Sequence, residues 1–408
     1  MRPIQKITSS VAAAILVAGG LAFASASPAQ AKPSGFRQMN SCGTSSAPGF
    51  ARCLAVVRTT VTSLAGSDAA SPNAATPSGL SPASLQSAYK LPSSSAGSGQ
   101  TIAIVDAYDD PNAAADLTTY RSYFGLPACT TASGCFKKVS QTGSTTSLPT
   151  KDGGWAEEIS LDIDMVSAIC PNCKILLVEA TSSSFANLGA AVNEAAKLGA
   201  NAISNSYGGS DARDTTYGSY YNHPGIAVTA SSGDDGYGAA YPASSHYVTA
   251  VGGTTLKTSS TTRGWTETAW ADAGSGCSAY NTALTGAASF STGCSRRAEA
   301  DVSAVADPAT GVSVYDSYAY QGYSGWLTFG GTSASSPIIA SVYGLAGNTA
   351  SIDNNYPYTH STSLFDVTSG SNGSCSTSQW CNARTGWDGP TGLGTPNGVS
   401  AFGARNAG

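Results

Sequence analysis

Gly99-Gln100-Thr101-Ile102-Ala103-Ile104-Val105-Asp106 is a run of small and β-branched residues ending on a carboxylate, and residues 111–124 follow it as a helical stretch introduced by Asp109-Asp110 and Pro111. A strand with apolar residues at successive positions is buried on both faces, as in parallel sheets. The alternation recurs: residues 174–178 and 202–205 read as strands separated by a helix over 185–198, and 226–230 and 247–251 as further β-branched strands. Repeated strand and helix predict an α/β fold of three layers, a mainly parallel central sheet flanked by helices.

Composition narrows the classes around that fold. The chain has 408 residues, of which 41% are apolar and only 11% charged, against roughly 25% charged in ordinary soluble proteins. It can bury a sizeable core, so disorder is excluded. Beyond the N-terminus no apolar run is long enough to cross a bilayer, so no membrane is expected. With 20 Lys plus Arg against 25 Asp plus Glu, no basic excess exists for nucleic acid.

Residues 1–31 read as a secretory signal, with Arg2 and Lys6 before the apolar run 11–23 and Ala29-Gln30-Ala31 as the small-residue cleavage motif. Residues 32–76, rich in Ser, Ala, Gly and Pro around a predicted short helix near 53–64, read as a propeptide or linker, and 77–408 as one domain. Ten cysteines in an exported chain imply disulfides. They are expected between close neighbours: Cys42–Cys53, Cys129–Cys135, Cys170–Cys173, Cys277–Cys294 and Cys375–Cys381. With no second Cys-x-x-Cys, Cys170 and Cys173 are read as a small loop and not as half a zinc site.

Four stretches can carry chemistry. In Gly330-Gly331-Thr332-Ser333-Ala334-Ser335-Ser336-Pro337, a serine stands at the start of an apolar helical run, where free N–H groups and the helix dipole suit an oxyanion; an ordinary helix N-cap is the plain alternative. A serine nucleophile needs a base. The three histidines are His223, His246 and His360, and none lies between Asp106 and Asn222, which excludes a His base in the order Asp, His, Ser. Glu158 and Asp162, four apart on a helix whose apolar stripe is Ile159, Ile163, Val166 and Cys170, form an acid pair that can share a proton and act as base in acid solution. The plain alternative is a solvated acidic face. Ser232-Gly233-Asp234-Asp235-Gly236 follows a predicted strand, where a protonated Asp can donate to an oxyanion, or is simply a turn. Asp366 with the glycine-rich stretch 383–394 offers the hard oxygen ligands of calcium, or is a loop without metal.

Taken in order, Glu-x-x-x-Asp, Ser-Gly-Asp, Gly-Thr-Ser-x-Ser-x-Pro and Gly-Trp-Asp-x-x-Thr-Gly-x-Gly resemble the sedolisins, the serine-carboxyl peptidases, over nearly all of residues 77–403, and residues 79–89 resemble the start of that family's catalytic domain. The resemblance implies a subtilisin-like fold and endopeptidase activity at acidic pH on protein or peptide substrates, by a monomer. It implies Ser333 as nucleophile, Glu158 as general base, Asp162 as its partner and Asp234 as oxyanion stabiliser. One structural Ca2+ is implied at Asp366 and Asp388 and the carbonyls of Val367, Arg384 and Gly386. Arg384 departs from the family's usual glycine, and the segment ahead of residue 77 is far shorter than the family's usual prodomain. Glu157 and Asp164 leave room for a register shifted by one. The other class of reading is a catalytically silent secreted binding or surface protein on the same fold. Scarce charge suits work in acid, because few native ion pairs are lost there.

Overall fold

The computed structural model describes Met1 and residues 36–44, 46–60 and 75–403. The rest of the predicted signal segment, its cleavage motif and residues 61–64 of the predicted short helix lie outside these residues. Among the described residues an eight-stranded sheet forms the centre. It runs Trp265–Ala269, Thr249–Thr258, Ala227–Ser231, Ala202–Asn205, Thr101–Ala107, Lys174–Ala180 and Phe136–Ser140, with Val302–Val305 also paired to Thr249–Thr258. Every pairing in it is parallel except that of Trp265–Ala269, so the α/β prediction holds.

Strand parity decides which residues face which layer. Along Thr101–Ala107, Ile102 and Ile104 pack in the core cluster that holds Ile159 and Ile163 of the helix Gly153–Ile169 and Ile338 of the helix Thr332–Ala346. Ala103 and Val105 pack in the opposite cluster, with Leu188 and Val192 of the helix Phe185–Lys197. Successive strand side chains point to opposite faces, so Asp106 falls on the side of Gly153–Ile169 and Thr332–Ala346.

Two local expectations are corrected. The helix Ala113–Tyr123 begins at Asn112, which makes no side-chain cap, while Asp110 Oδ1 accepts from the Asn112 N–H at 2.8 Å; the Asp-Asp pair therefore shapes the turn before the helix. The predicted helix near 53–64 is extended in its described part: Arg52–Cys53 and Val56–Thr60 are strands. Phe36–Asn40, Val56–Thr60, Tyr323–Gly330 and Val312–Tyr320 form a separate four-stranded sheet. Val56, Val57, Thr59 and Thr60 are β-branched, a composition that favours a pleated surface over a helix. All five disulfides join the expected neighbours.

Much of the scarce charge is inside. Burial pushes Asp110 and Glu157 up to about 7 and Glu179 and Asp316 up to about 9, with neighbouring acids adding at Asp110, Glu179 and Asp316. A carboxyl whose folded value is raised keeps a proton that the unfolded chain, with values near 4, releases. Its contribution is fully present below the unfolded value and lost as pH climbs through the folded one. Thermal unfolding followed by circular dichroism should therefore give a higher Tm at pH 5 than at pH 8, a stronger statement than the near-constancy that composition alone suggests. An equal or lower Tm at pH 5 would contradict it.

Candidate active site

Glu158 and Asp162 lie on the helix Gly153–Ile169, which starts where Asp152 accepts from the Trp155 N–H. Residues 154–169 are all buried, so these carboxyls are not a solvated face. Ser333 is the second residue of Thr332–Ala346. Gly331 before it has φ +91, and a Cβ there would lie 1.9 Å from the Leu54 carbonyl oxygen, so both its backbone shape and its close approach require glycine. Gly331 has no side chain to cap the helix. Asp234 does so instead, its Oδ1 accepting from the Thr332 N–H at 2.8 Å and from Thr332 Oγ1 at 2.7 Å.

The helices bring their polar groups together in a buried site. Ser333 Oγ donates to Glu158 Oε2 at 2.8 Å. Glu158 Oε2 also accepts from the N–H groups of Leu54 and Ala55, at 2.9 and 2.8 Å. Asp162 Oδ1 accepts from Ser206 Oγ at 2.8 Å. Pro337 carries no N–H, so the Ser333 carbonyl four residues earlier lacks its helical partner; it lies 3.3 Å from the same Ser206 hydroxyl. Glu158 Oε1 and Asp162 Oδ2 are buried without a donor among the described residues, and one proton held between the two carboxyls would serve both.

Burial dominates the acid–base behaviour. It pushes Glu158 and Asp162 well above the ordinary carboxylate range, and Asp106 pushes both further. Asp106 itself is raised by burial, and neither of its oxygens has a partner among the described residues. Asp234 is raised by burial to about 7, against the pull of its Thr332 hydrogen bonds. The arrangement offers a hydroxyl on a carboxylate oxygen and, across the start of the helix, a second carboxyl able to carry a proton near neutrality.

The predicted residues thus come together, in the register of Glu158. Asp164 Oδ2 instead accepts from the Tyr315 N–H at 2.9 Å, and Glu157 sits beside Ser41. His223, His246 and His360 bond the carbonyls of Tyr220, Thr282 and Tyr356, far from Ser333 in the hydrogen-bond network. Sequence reasoning missed Asp106, Ser206 and Thr332. Asp106 had a signal in its even spacing from Ile102 and Ile104 at the carboxyl end of a strand; Ser206 had none, because its partners are 44 and 127 residues away. Of the residues predicted for calcium, the Gly386 N–H donates to Asp366 Oδ2 at 2.9 Å and the Arg384 N–H to Asp388 Oδ2 at 3.0 Å, while no cluster of three or more His, Cys, Asp or Glu side chains that could hold a metal ion occurs among the described residues.

The chain is similar to known peptidases over much of its length. The Subtilase family profile matches residues 150–362, just over half of the chain. Kumamolisin of Bacillus sp. (strain MN-32) is 31% identical over 355 residues, covering 76% of this chain and 61% of its own. Sedolisin of Pseudomonas sp. (strain 101) is 32% identical over 203 residues, covering 42% of this chain and 33% of its own. The chain therefore spans about three fifths and one third of the lengths of these curated relatives. The solved structure of Pseudomonas sedolisin, a serine-carboxyl proteinase complexed with two molecules of pseudo-iodotyrostatin, superposes with TM-score 0.67 at 26% identity, covering 79% of this chain and 96% of its own.

Asp106 gives the site a direct test. Asp106→Asn removes a charge that opposes ionisation of Glu158 and Asp162, so the pair should lose its proton at lower pH. Carboxyl NMR titration of the two proteins should show the resonances of Glu158 and Asp162 moving to lower pH in the variant; unchanged titration would separate Asp106 electrically from the pair.

Proposed function

The chain belongs to the subtilase family, on its sedolisin branch, and from that premise we propose that it is a serine-carboxyl endopeptidase cutting protein substrates in acid. The observation that carries the reading is the 2.8 Å bond from Ser333 Oγ to Glu158 Oε2 in a buried site whose neighbours are carboxyls. Ser333 is the nucleophile. Glu158 takes its proton as the peptide carbonyl is attacked and returns it to the leaving amine. Asp162 positions Glu158 and shares a proton with it, and Asp106 tunes both. Asp234, protonated, donates to the oxyanion together with the Ser333 N–H at the helix start. Residues 1–31 are a secretion signal and the mature protein works outside the cell as a monomer, a setting that the five disulfides suit.

The pH dependence follows from these protons. Asp234, at about 7, donates only below that value, while Glu158 must be ionised to accept. Activity should rise from strong acid as the Glu158–Asp162 pair loses a proton, and fall as pH passes about 7. An Asp234→Asn enzyme keeps a donor at every pH, so its rate should be lower but its alkaline limb flattened. In pH–rate profiles on a denatured protein substrate, Ser333→Ala and Glu158→Gln should each cost roughly a thousandfold or more in kcat. Full cleavage by either variant refutes the assignment, and no cleavage by the wild type at any pH would leave the fold to binding alone.

One calcium ion completes the proposal. The donor chemistry fits, since the carboxylates of Asp366 and Asp388 are drawn to one loop, and burial with Asp366 nearby pushes Asp388 to about 7. Both carboxylates and the carbonyls of Val367, Arg384 and Gly386 would hold the ion, which supplies positive charge that ties residues 366–367 to 384–388. Calcium at about a hundred times its Kd adds about 2.7 kcal/mol, so chelation should lower Tm by about 2–4 °C. Asp366→Asn should abolish that response; a chelator with no effect on the wild type removes the site.

A further inference from the structure

Each acid of the site carries its donors on one oxygen and leaves the other bare. Glu158 Oε2 accepts from Ser333 Oγ and two backbone N–H groups, while Oε1 has no donor among the described residues. Asp162 Oδ1 accepts from Ser206 Oγ at 2.8 Å, and its Oδ2 has none. Asp234 Oδ1 accepts from the N–H and the hydroxyl of Thr332, at 2.8 and 2.7 Å, and its Oδ2 has none. A carboxyl proton sits on the oxygen that is not already accepting, because on a loaded oxygen it would face another donor's hydrogen. The bare oxygens are therefore where these acids carry their protons. For Asp162 and Asp234 the loading depends on a side-chain hydroxyl, that of Ser206 and that of Thr332.

Both hydroxyls are buried and aimed. Thr332 Oγ1 accepts from the Gly233 N–H at 3.2 Å, which leaves its own hydrogen to Asp234 Oδ1 at 2.7 Å or the Gly233 carbonyl at 3.3 Å. The shorter bond, to the acid, takes it. Thr332 is also pinned along the chain, since its carbonyl accepts from Ser231 Oγ and Ser335 Oγ, both at 2.8 Å. On the far side of the acid, Asp234 Oδ2 lies 2.8 Å from where a Cβ on Gly331 would stand, so the glycine keeps open the space that the bare oxygen faces. Ser206 Oγ likewise has one hydrogen and two acceptors, Asp162 Oδ1 at 2.8 Å and the Ser333 carbonyl at 3.3 Å, and the carboxyl again takes it. A side-chain hydrogen bond joins Asp162 to Glu158; with Oδ1 occupied by Ser206, that shared proton falls to Oδ2.

We propose that Thr332 and Ser206 are positioning residues that decide which oxygen carries each proton: Thr332 reserves Asp234 Oδ2 for the oxyanion, and Ser206 reserves Asp162 Oδ2 for the proton shared with Glu158. The inference rests on the serine-carboxyl reading of the site. Losing either hydroxyl has an electrostatic sign as well as a geometric one, because each donor favours the ionised form of its acid. The other charged groups that reach Asp234 are Arg52 on the N-terminal strand and the adjacent Asp235; those that reach Asp162 are Asp106 at the end of Thr101–Ala107 and Glu158 on the same helix. All of these stay in place when a hydroxyl is removed. Without the Thr332 hydroxyl, Asp234 holds its proton to higher pH but no longer on one oxygen, so turnover slows while activity persists further toward alkali. Without the Ser206 hydroxyl, the Glu158–Asp162 pair releases its proton only at higher pH, so activity rises later from acid.

The test compares kcat and kcat/KM against pH for the wild type, Thr332→Val, Thr332→Ser and Ser206→Ala, with folding followed by circular dichroism. Thr332→Val exchanges the hydroxyl for a methyl of similar size. It should lower kcat about tenfold and carry the alkaline limb up by about one pH unit, with the acid limb unmoved. Ser206→Ala should carry the acid limb up by a similar amount and leave the alkaline limb unmoved. Thr332→Ser keeps the donor and should keep the wild-type rate and both limbs. In an Asp234→Asn background, Thr332→Val should no longer move the alkaline limb, since no proton remains to be placed. A slower Thr332→Val enzyme with unmoved limbs reduces Thr332 to a packing role and overturns the proposal, as does a shift of both limbs together in either hydroxyl-free variant. A displaced alkaline limb in Thr332→Ser overturns it as well, and that arm stands even if the valine variant does not fold. Failure of the underlying reading looks different: a Ser333→Ala enzyme that cleaves as fast as the wild type removes the active site itself, whatever the two hydroxyls do.

Discussion

Glu158 Oε2 accepts three hydrogen bonds, from Ser333 Oγ and from the N–H groups of Leu54 and Ala55, and the architecture converges on that one oxygen. A carboxylate buried without donors is costly, and one beside two other acids more so. The acceptor and its donors come from three separate parts of the chain, which is why the N-terminal strand, the acid-bearing helix and the serine-bearing helix have to meet where they do. Two of the three belong to the strand. The strand therefore supplies most of what makes a carboxylate at Glu158 tolerable in this interior.

How much of this could be read beforehand depends on the range of the information. The parallel sheet was legible because a doubly buried strand writes its pattern into seven consecutive residues, as in Thr101–Ala107. Glu158 and Asp162 were legible as a pair because helical spacing puts residues four apart side by side. Asp234 was legible only as an acid after a strand; its role as the surrogate cap for Thr332 depends on Gly331 having no side chain, 97 residues further along the chain. The N-terminal segment was misread for the same reason. It read as a short helix inside a Ser-, Ala-, Gly- and Pro-rich stretch, but its extended form is set by ladders to Tyr207, Gly208, Phe329 and Gly330, which no local pattern announces.

The scarcity of charge acquires a different meaning once the acids are located. In composition it looks like a surface property, with fewer ion pairs for acid to break. In the structure, twelve of the carboxyls are raised, each with burial as the leading cause. Such groups favour the folded state most where solvent also protonates carboxyls. The proposed chemistry would need the same window, with Asp234 carrying a proton while the Glu158–Asp162 pair gives one up. On that proposal, stability and catalysis would both be set by one physical variable, the free energy of placing a negative charge in this interior. Replacing buried acids by neutral isosteres outside the site, at Glu179 or Asp316, would separate the two, flattening stability against pH while leaving the proton requirements of Ser333 and Asp234 in place.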